Sequence, residues 1–249
     1  MLNAKPPPRK IYRIPPGKRL YAVGDIHGRI DLLRRLLDMI GRDAATIPDK
    51  EKELVFLGDY VDRGLKSNEV LSLLHFGLPK IFNPIFLRGN HEDAMLRFID
   101  GDLGVAANWF HFGGRETIAS YGMPLPPRNP SPEQAAAIHA ALLAAMPAED
   151  LAFLRATRLY HQCGDYGFAH AGVRPGVPLQ QQKAADLMFI RGEFLNSDAD
   201  FGALVVHGHT IAPEPEVRHN RIGIDTGAYA TGKLTCLVLE GSKRKFVQT

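Results

Sequence analysis

The stretch Gly58-Asp59-Tyr60-Val61-Asp62-Arg63-Gly64 sets two carboxylates and a guanidinium between glycines, directly after the apolar run Leu54-Val55-Phe56-Leu57. The run is short, β-compatible and stopped by glycine, so it reads as a buried strand with Asp59 at its mouth. Taken alone, Asp59 and Arg63 also read as a structural ion pair. Two earlier and later stretches share the plan: Asp25-Ile26-His27-Gly28 follows Leu20-Tyr21-Ala22-Val23, and Arg88-Gly89-Asn90-His91-Glu92 follows Pro84-Ile85-Phe86-Leu87. A carboxylate and an imidazole two apart suit a divalent metal, while the plainer reading is a turn aspartate beside a surface histidine. His170-Ala171-Gly172 and His207-Gly208-His209-Thr210 again put histidines at strand ends beside flexible residues. Asp, His, Asn and His at successive strand ends form a hard oxygen and nitrogen set without thiolates, suited to Mn²⁺, Fe or Zn²⁺ rather than redox copper. One aspartate can bridge two ions about 3.5–4 Å apart, a geometry used for in-line displacement at phosphorus. A neutral Asn90 tempers the negative charge and helps such a site accept an anion.

These residues need elements that bring them together. After Asp25 and His27, Leu32, Leu33, Leu36, Leu37 and Ile40 fall on one helical stripe, with Asp31, Arg34, Arg35 and Asp38 toward water. A second helix is expected from about Ser67 as N-cap, with Val70, Leu71 and Leu74 apolar, and a third over Asp93 to Ile99. Three strand–polar loop–helix units argue a sheet with right-handed crossovers. Their loops then gather beyond the carboxyl ends of the strands, where α/β sheets bind ligands. Asp25, His27, Asp59, Asp62, Arg63, Asn90 and His91 are expected to meet there.

Residues 101–154 read as a helical insertion. Ser131-Pro132-Glu133-Gln134 opens an alanine-rich helix as a capping box that ends before Pro147, and another helix runs through Leu151 and Leu154. The insertion is expected to flank the site, either supporting it or selecting substrate. His75 and His139 are expected on the surface. Further on, Arg158–Gln162 and Tyr166–His170 form a hairpin about Cys163-Gly164-Asp165, and strands follow at 204–207, 222–224, 234–239 and 245–247. The fold class is α/β, a mixed sandwich of two sheets with helices outside.

A chain of 249 residues, with 45% hydrophobic and 23% charged residues, can bury a core without a disulfide or a structural metal. Its net charge of +3 does not argue for nucleic acid. Cys163 and Cys236 make neither a disulfide framework nor a thiolate zinc site. No run approaches the roughly 20 apolar residues of a membrane span, so no membrane partner and a cytoplasmic location are expected. Residues 1–18 are expected as a flexible, basic, proline-rich tail, whose Lys5–Lys10 stretch either docks an acidic partner or is simply solvated.

The motifs Gly24-Asp25-Ile26-His27-Gly28, Gly58-Asp59-Tyr60-Val61-Asp62-Arg63-Gly64, Gly89-Asn90-His91-Glu92, His170-Ala171-Gly172 and Gly208-His209-Thr210, in this order, resemble those of the phosphoprotein phosphatases among the calcineurin-like metallophosphoesterases. Within them the chain looks most like the bacterial and phage serine/threonine phosphatase branch. The resemblance implies a four-layer αββα sandwich as a single domain over 19–249. It implies that Asp25, His27 and bridging Asp59 hold one metal, and Asp59, Asn90, His170 and His209 a second, most simply a manganese pair. His91, oriented by Asp62, would protonate the leaving alkoxide, while Arg63 and Arg191 grip the phosphate. Asn90 would also touch it. A bridging hydroxide would attack phosphorus directly.

The substrate implied is a phosphoprotein or phosphopeptide carrying phosphoserine or phosphothreonine, with phosphotyrosine also within its scope. Hydrolysis of diadenosine tetraphosphate or another nucleotide is the alternative, although the symmetrical diadenosine-tetraphosphate hydrolases usually carry glutamine where this chain has His27. A phosphate-binding scaffold without turnover is a third reading, at odds with the filled ligand positions. Spacing alone leaves His207 and His209 open as ligands, and the motif match favours His209. The segment Ile224-Asp225-Thr226-Gly227-Ala228 lacks the tyrosine-containing stretch of the eukaryotic enzymes, and Tyr229 is not taken to replace it.

Overall fold

A computed structural model describes residues 10–249. The chain begins with strand β1 (Lys18–Val23), helix α1 (Ile30–Ala45), β2 (Glu51–Phe56), α2 (Ser67–Phe76), β3 (Asn83–Phe86) and α3 (Asn90–Ile99). The inserted region holds α4 (Ala106–Trp109), a π-turn over Phe110–Gly114, α5 (Arg115–Ser120), α6 (Pro132–Ala145) and α7 (Ala148–Ala156). Then come β4 (Tyr160–Cys163), β5 (Tyr166–Ala169), the short α8 (Ala184–Phe189) and α9 (Gly192–Leu195), β6 (Leu204–His207), β7 (Glu216–Val217), β8 (Arg221–Gly223), α10 (Ala228–Thr231), β9 (Thr235–Glu240) and β10 (Lys243–Gln248).

One sheet runs in the order β10, β9, β1, β2, β3, and the other β4, β5, β6, β8, β7. The first three strands are parallel, as are β5, β6 and β8. Period-two alternation explains the layers. Tyr21, Val23, Leu54 and Phe56 pack outward under α1 and α2. Leu20, Ala22, Val55 and Leu57 point inward to meet Tyr166, Phe168, Leu204, Val206 and Ile222 from the other sheet. On the far side, Ala169 and Val205 pack with Leu187, Ile190 and Phe194 of the α8–α9 region. The expected four-layer mixed α/β sandwich is the observed one. The chain's return to the first sheet through β9, antiparallel to β1, and β10 completes it.

Several boundaries differ from expectation. Helix α3 starts at Asn90 rather than Asp93, because Glu92 reaches back to accept the Gly89 N–H at 2.9 Å and closes the first turn. Ser67 is not the cap of α2; Lys66 holds that position without a side-chain bond. Ser67 is instead fully buried, its Oγ accepting the Asp62 N–H at 3.1 Å. His139 is half-buried and its Nε2 lies 2.9 Å from the Ile99 carbonyl, whereas His75 is exposed as expected. The capping box at Ser131 forms as read. Lys5 to Arg9 of the expected tail lie outside the described residues. From Arg13 onward the chain is tied down: Asp165 accepts the Arg13 N–H at 2.8 Å, and Ile14 is buried with its N–H on the Gly241 carbonyl.

Candidate active site

The carboxyl ends of six parallel strands, three from each sheet, face one rim of the sandwich. Asp25 and His27 follow β1, Asp59 to Arg63 follow β2, and Asn90 and His91 open α3 after β3. From the other sheet, His170 follows β5, His209 follows β6 and Asp225 follows β8. All the residues singled out from the loops therefore converge, and Asp25, His27, Asp59, Asp62, His91 and His170 are buried.

The backbone here is strained in a concentrated way. Among the described residues, the non-glycine positions with positive φ are His27, Asp59, Asp62, Arg63 and His209, all of them candidate site residues. Each such conformation costs on the order of 1–3 kcal/mol and persists only where surrounding bonds hold it. Glu92 supplies several of these bonds: its buried carboxylate accepts the N–H groups of Asp59 at 2.8 Å and Tyr60 at 2.7 Å. Burial, with the nearby Asp59 charge, pushes Glu92 up to about 7. Glycine is required where the two loops touch, since a Cβ on Gly89 would lie 2.0 Å from Asp59 Oδ1.

Two groups of ligand atoms form, each within 4.8 Å: His27, Asp59 and His91, and Asp59, His170 and His209. Asp59 belongs to both. Its Oδ2 lies 3.6 Å from His27 Nε2, 3.4 Å from His170 Nε2 and 3.9 Å from His91 Nε2. His27 and His170 hold their other nitrogens, Nδ1, at 2.8 Å and 2.9 Å from the Val61 and Leu57 carbonyls. Those bonds orient both Nε2 lone pairs into the site. Asn90 Oδ1 sits 3.0 Å from His170 Nε2, and His209 Nδ1 lies 3.2 Å from the same nitrogen.

Asp25 joins through its Oδ2, which accepts the His209 N–H at 3.0 Å, while its Oδ1 is buried without a partner. His209 Nε2 is likewise buried and unpartnered. Lone pairs facing each other and orphaned buried polar atoms are what a cation would satisfy, so the donor set fits divalent metal ions. Without one, burial and the neighbouring Asp225 and Asp59 carboxylates raise Asp25 well above the usual carboxylate range. Burial and His170 lower His209 to about 3.

His91 differs from the other histidines. Its Nδ1 donates to Asp62 Oδ2 at 2.6 Å, and Arg63 Nη2 lies 3.2 Å from its Nε2. Burial opposes its charge, but the Asp59 and Asp62 carboxylates outweigh that and raise it above the ordinary imidazole value. Asp62 is itself held by the insertion: Trp109 Nε1 donates to Oδ2 at 2.9 Å and Thr117 Oγ1 to Oδ1 at 2.7 Å. The insertion thus supports the site directly. Trp109, Thr117, Glu92 and Asp225 were not singled out from sequence. Asp225 follows the strand-end pattern that marked the others, whereas the bonds of Trp109 and Thr117 link residues about fifty positions apart and leave no local signal.

Arg191 lies with Arg63, Asn90, His91 and His209 around an open cleft of about 300 Å³. His207 is excluded from both ligand groups. As the last residue of β6 it shares a face with Val205, and its ring meets Phe194 with centroids 5.0 Å apart, whereas the turn at Gly208 sends His209 to the rim. Tyr229, left aside on sequence grounds, covers the site's other flank. Its ring centroid is 4.4 Å from the Arg63 guanidinium and 5.4 Å from the His27 ring.

Comparison with known proteins agrees with this fold. A putative diadenosine tetraphosphatase of known structure superposes with a TM-score of 0.63 at 20% identity, over 95% of this chain and 98% of that one. The asymmetrical bis(5'-nucleosyl)-tetraphosphatase PrpE of Bacillus thuringiensis is 24% identical over 235 residues, 86% of this chain and 88% of its own. A putative serine/threonine-protein phosphatase of Caenorhabditis elegans is 45% identical over 80 residues, 32% of this chain and 20% of its own. The family model described as calcineurin-like phosphoesterase matches residues 18–226, and the chain belongs to that family.

Proposed function

We propose that this member of a metal-dependent phosphoesterase family is a phosphomonoesterase acting on phosphoserine or phosphothreonine in proteins. The observation that carries the reading is the His91–Asp62 pair, 2.6 Å apart, with Arg63 against the free side of the imidazole and two metal-ligand groups sharing Asp59. In this reading Asp25, His27 and Asp59 hold one divalent cation, and Asp59, Asn90, His170 and His209 a second. When bound, the cations supply an activated water and neutralise charge at phosphorus; manganese is the proposed pair. Arg63 and Arg191 bind the phosphate oxygens as planar forks from two sides of the cleft. Asp62 accepts the Nδ1–H of His91, so Nε2 is the ring atom that holds the proton delivered to the leaving oxygen. Trp109 and Thr117 keep Asp62 from rotating away. The reading includes a cytoplasmic location, with Cys163 and Cys236 buried and unpaired. Among the described residues no single helix is long and apolar enough to cross a membrane.

Nucleotide hydrolysis by the same machinery is the second reading, favoured by the tetraphosphatase relative that aligns with most of the chain. Rates on a phosphoserine peptide and on diadenosine tetraphosphate, side by side with excess Mn²⁺, decide between them. A clear preference for the peptide supports the proposal, and a preference for the dinucleotide replaces it. His91→Asn should lower turnover by roughly 10²–10⁴-fold while metal content stays intact, because general acid catalysis contributes about that much.

A further inference from the structure

Away from the rim, the turn between β7 and β8 is closed by the Arg218 N–H, which donates to the Arg221 carbonyl at 2.8 Å. Arg218 and Arg221 are therefore cross-strand neighbours, like charges side by side, an arrangement that costs stability unless something offsets it. Glu216 offsets it in part, with its carboxylate 2.8 Å from Arg218 Nε and 3.1 Å from Arg221 Nη2. Two guanidinium groups thus share one carboxylate. Arg221 is only 4% exposed, and its Nε and Nη1 are buried without an acceptor. Arginine is seldom so buried unless its donors are satisfied. At the rim, orphaned buried atoms are acceptors and call for a cation; these are donors and call for an anion.

The two arginines line a cavity of about 240 Å³ whose other wall is the loop after α9. Asn220 pins that loop, its Nδ2 donating to the Ser197 and Ala199 carbonyls at 2.9 Å and 2.8 Å. Ser197 Oγ accepts the Ala199 N–H at 3.2 Å and keeps its own proton to donate. Asp198 lines the cavity from an exposed position and pairs with neither guanidinium among the described residues.

We infer that this cavity is a second oxyanion site, taking a free anion of the size and shape of phosphate against Arg221, Arg218 and Ser197, and that its occupant acts on the catalytic cleft through α9. Guanidinium forks and a hydroxyl from separate elements suit a tetrahedral oxyanion. The path to the cleft is short. Helix α9 begins directly after Arg191, whose carbonyl accepts the Phe194 and Leu195 N–H groups at 3.0 Å and 2.8 Å. Arg221 Nη2 holds the other end of that turn, donating to the Leu195 carbonyl at 2.8 Å. An anion that draws the Arg221 guanidinium toward the cavity therefore loads α9 and, with it, the backbone of Arg191. The inference holds whichever substrate the catalytic centre prefers.

The test uses the metal-loaded full chain, freed of excess metal, with inorganic phosphate as the probe. Equilibrium dialysis should find two phosphates per wild-type chain, one of them at the catalytic centre, and one per chain in Arg218→Ala and in Arg221→Gln. Melting curves show which variants are folded, and the exposed Arg218 gives a readout even where the buried Arg221 cannot be changed. Phosphate should inhibit the wild-type chain through both kcat and KM, and Arg218→Ala through KM alone, on whichever of the phosphoserine peptide and diadenosine tetraphosphate is turned over. Without phosphate, Arg218→Ala should keep kcat/KM within about twofold of wild type, as a surface substitution does. A single phosphate in the wild-type chain, or two in every folded variant, overturns the site and leaves Arg221 as the tether of α9. Two phosphates with wild-type inhibition through KM alone keep the site and overturn its link to Arg191. Acetate displacing phosphate from the site at lower concentration overturns the tetrahedral assignment.

Discussion

Trp109 and Asp62 are joined by an indole hydrogen bond of 2.9 Å to the same carboxylate oxygen that accepts the proton of His91 Nδ1. One oxygen therefore receives two donors, from the insertion and from α3, so the indole helps fix the carboxylate that orients the imidazole. Trp109→Phe keeps most of the buried ring and removes the donor. It should lower kcat by roughly 10–100-fold with little change in KM, since a hydrogen bond to a charged group is worth about 1.5–3 kcal/mol and each 1.4 kcal/mol is tenfold. Steady-state kinetics on one phosphomonoester check this, and a loss confined to KM would assign Trp109 to substrate binding instead.

Glu92 holds the strained β2 loop through the Asp59, Tyr60 and Gly89 N–H groups. Glu92→Gln leaves one acceptor oxygen and turns the other into a donor facing buried N–H groups. Orphaned donors cost about 1–3 kcal/mol each, so a loss of about 2–4 kcal/mol is expected. At roughly 2–4 °C per kcal/mol, Tm should fall by about 4–16 °C in a calorimetric scan. Activity should fall too, because the positive φ of Asp59 depends on those bonds.

Because Asp59 belongs to both ligand groups, its removal and that of His209 should differ. Elemental analysis should find Asp59→Asn depleted of both metals and His209→Ala depleted of one. A chelator should abolish activity and added Mn²⁺ restore it. Losses in these variants should exceed the roughly 10–100-fold effect typical of residues that only orient a ligand. Full metal content in Asp59→Asn would overturn the shared-carboxylate arrangement.

Away from the rim, Glu53 bonds His161 Nε2 at 3.1 Å and Lys18 Nζ at 2.6 Å. The His161 bond, then the Lys18 bond against the opposing effect of burial, hold it down to about 2 from an ordinary 4.5. Its folded-state value is the lower one, so its stabilisation is complete above about pH 4.5 and fades as pH falls toward 2. Glu53→Gln should cost on the order of 1–2 kcal/mol at pH 7, and the difference from wild type should shrink across that acid window. Denaturant titrations at pH 7 and pH 3 measure it.

The positions of the strands and the identity of the loop residues were legible locally. An apolar run stopped by Gly24, Gly58 or Gly89 needs only neighbouring residues to declare itself, and the residue types after it declare their chemistry. The start of α2 was less legible, because the buried hydroxyl of Ser67 answers to Thr117, a partner distant in sequence; the start of α3 at Asn90 rests on the local bond between Glu92 and the Gly89 N–H.

The amino-acid sequence alone determined the alternation that separates the two sheet faces, the order of the strand–loop–helix units and the hard oxygen and nitrogen character of the site. Tertiary structure decided which of His207 and His209 reaches the rim, because a turn after β6 rotates the chain out of its period-two register. It also decided that the insertion clamps Asp62 through Trp109 and Thr117, and that Phe112, Phe189 and Tyr229 stand beside the arginines. Those relations join residues from separate elements, and nothing in the local chain specifies a contact that only packing creates.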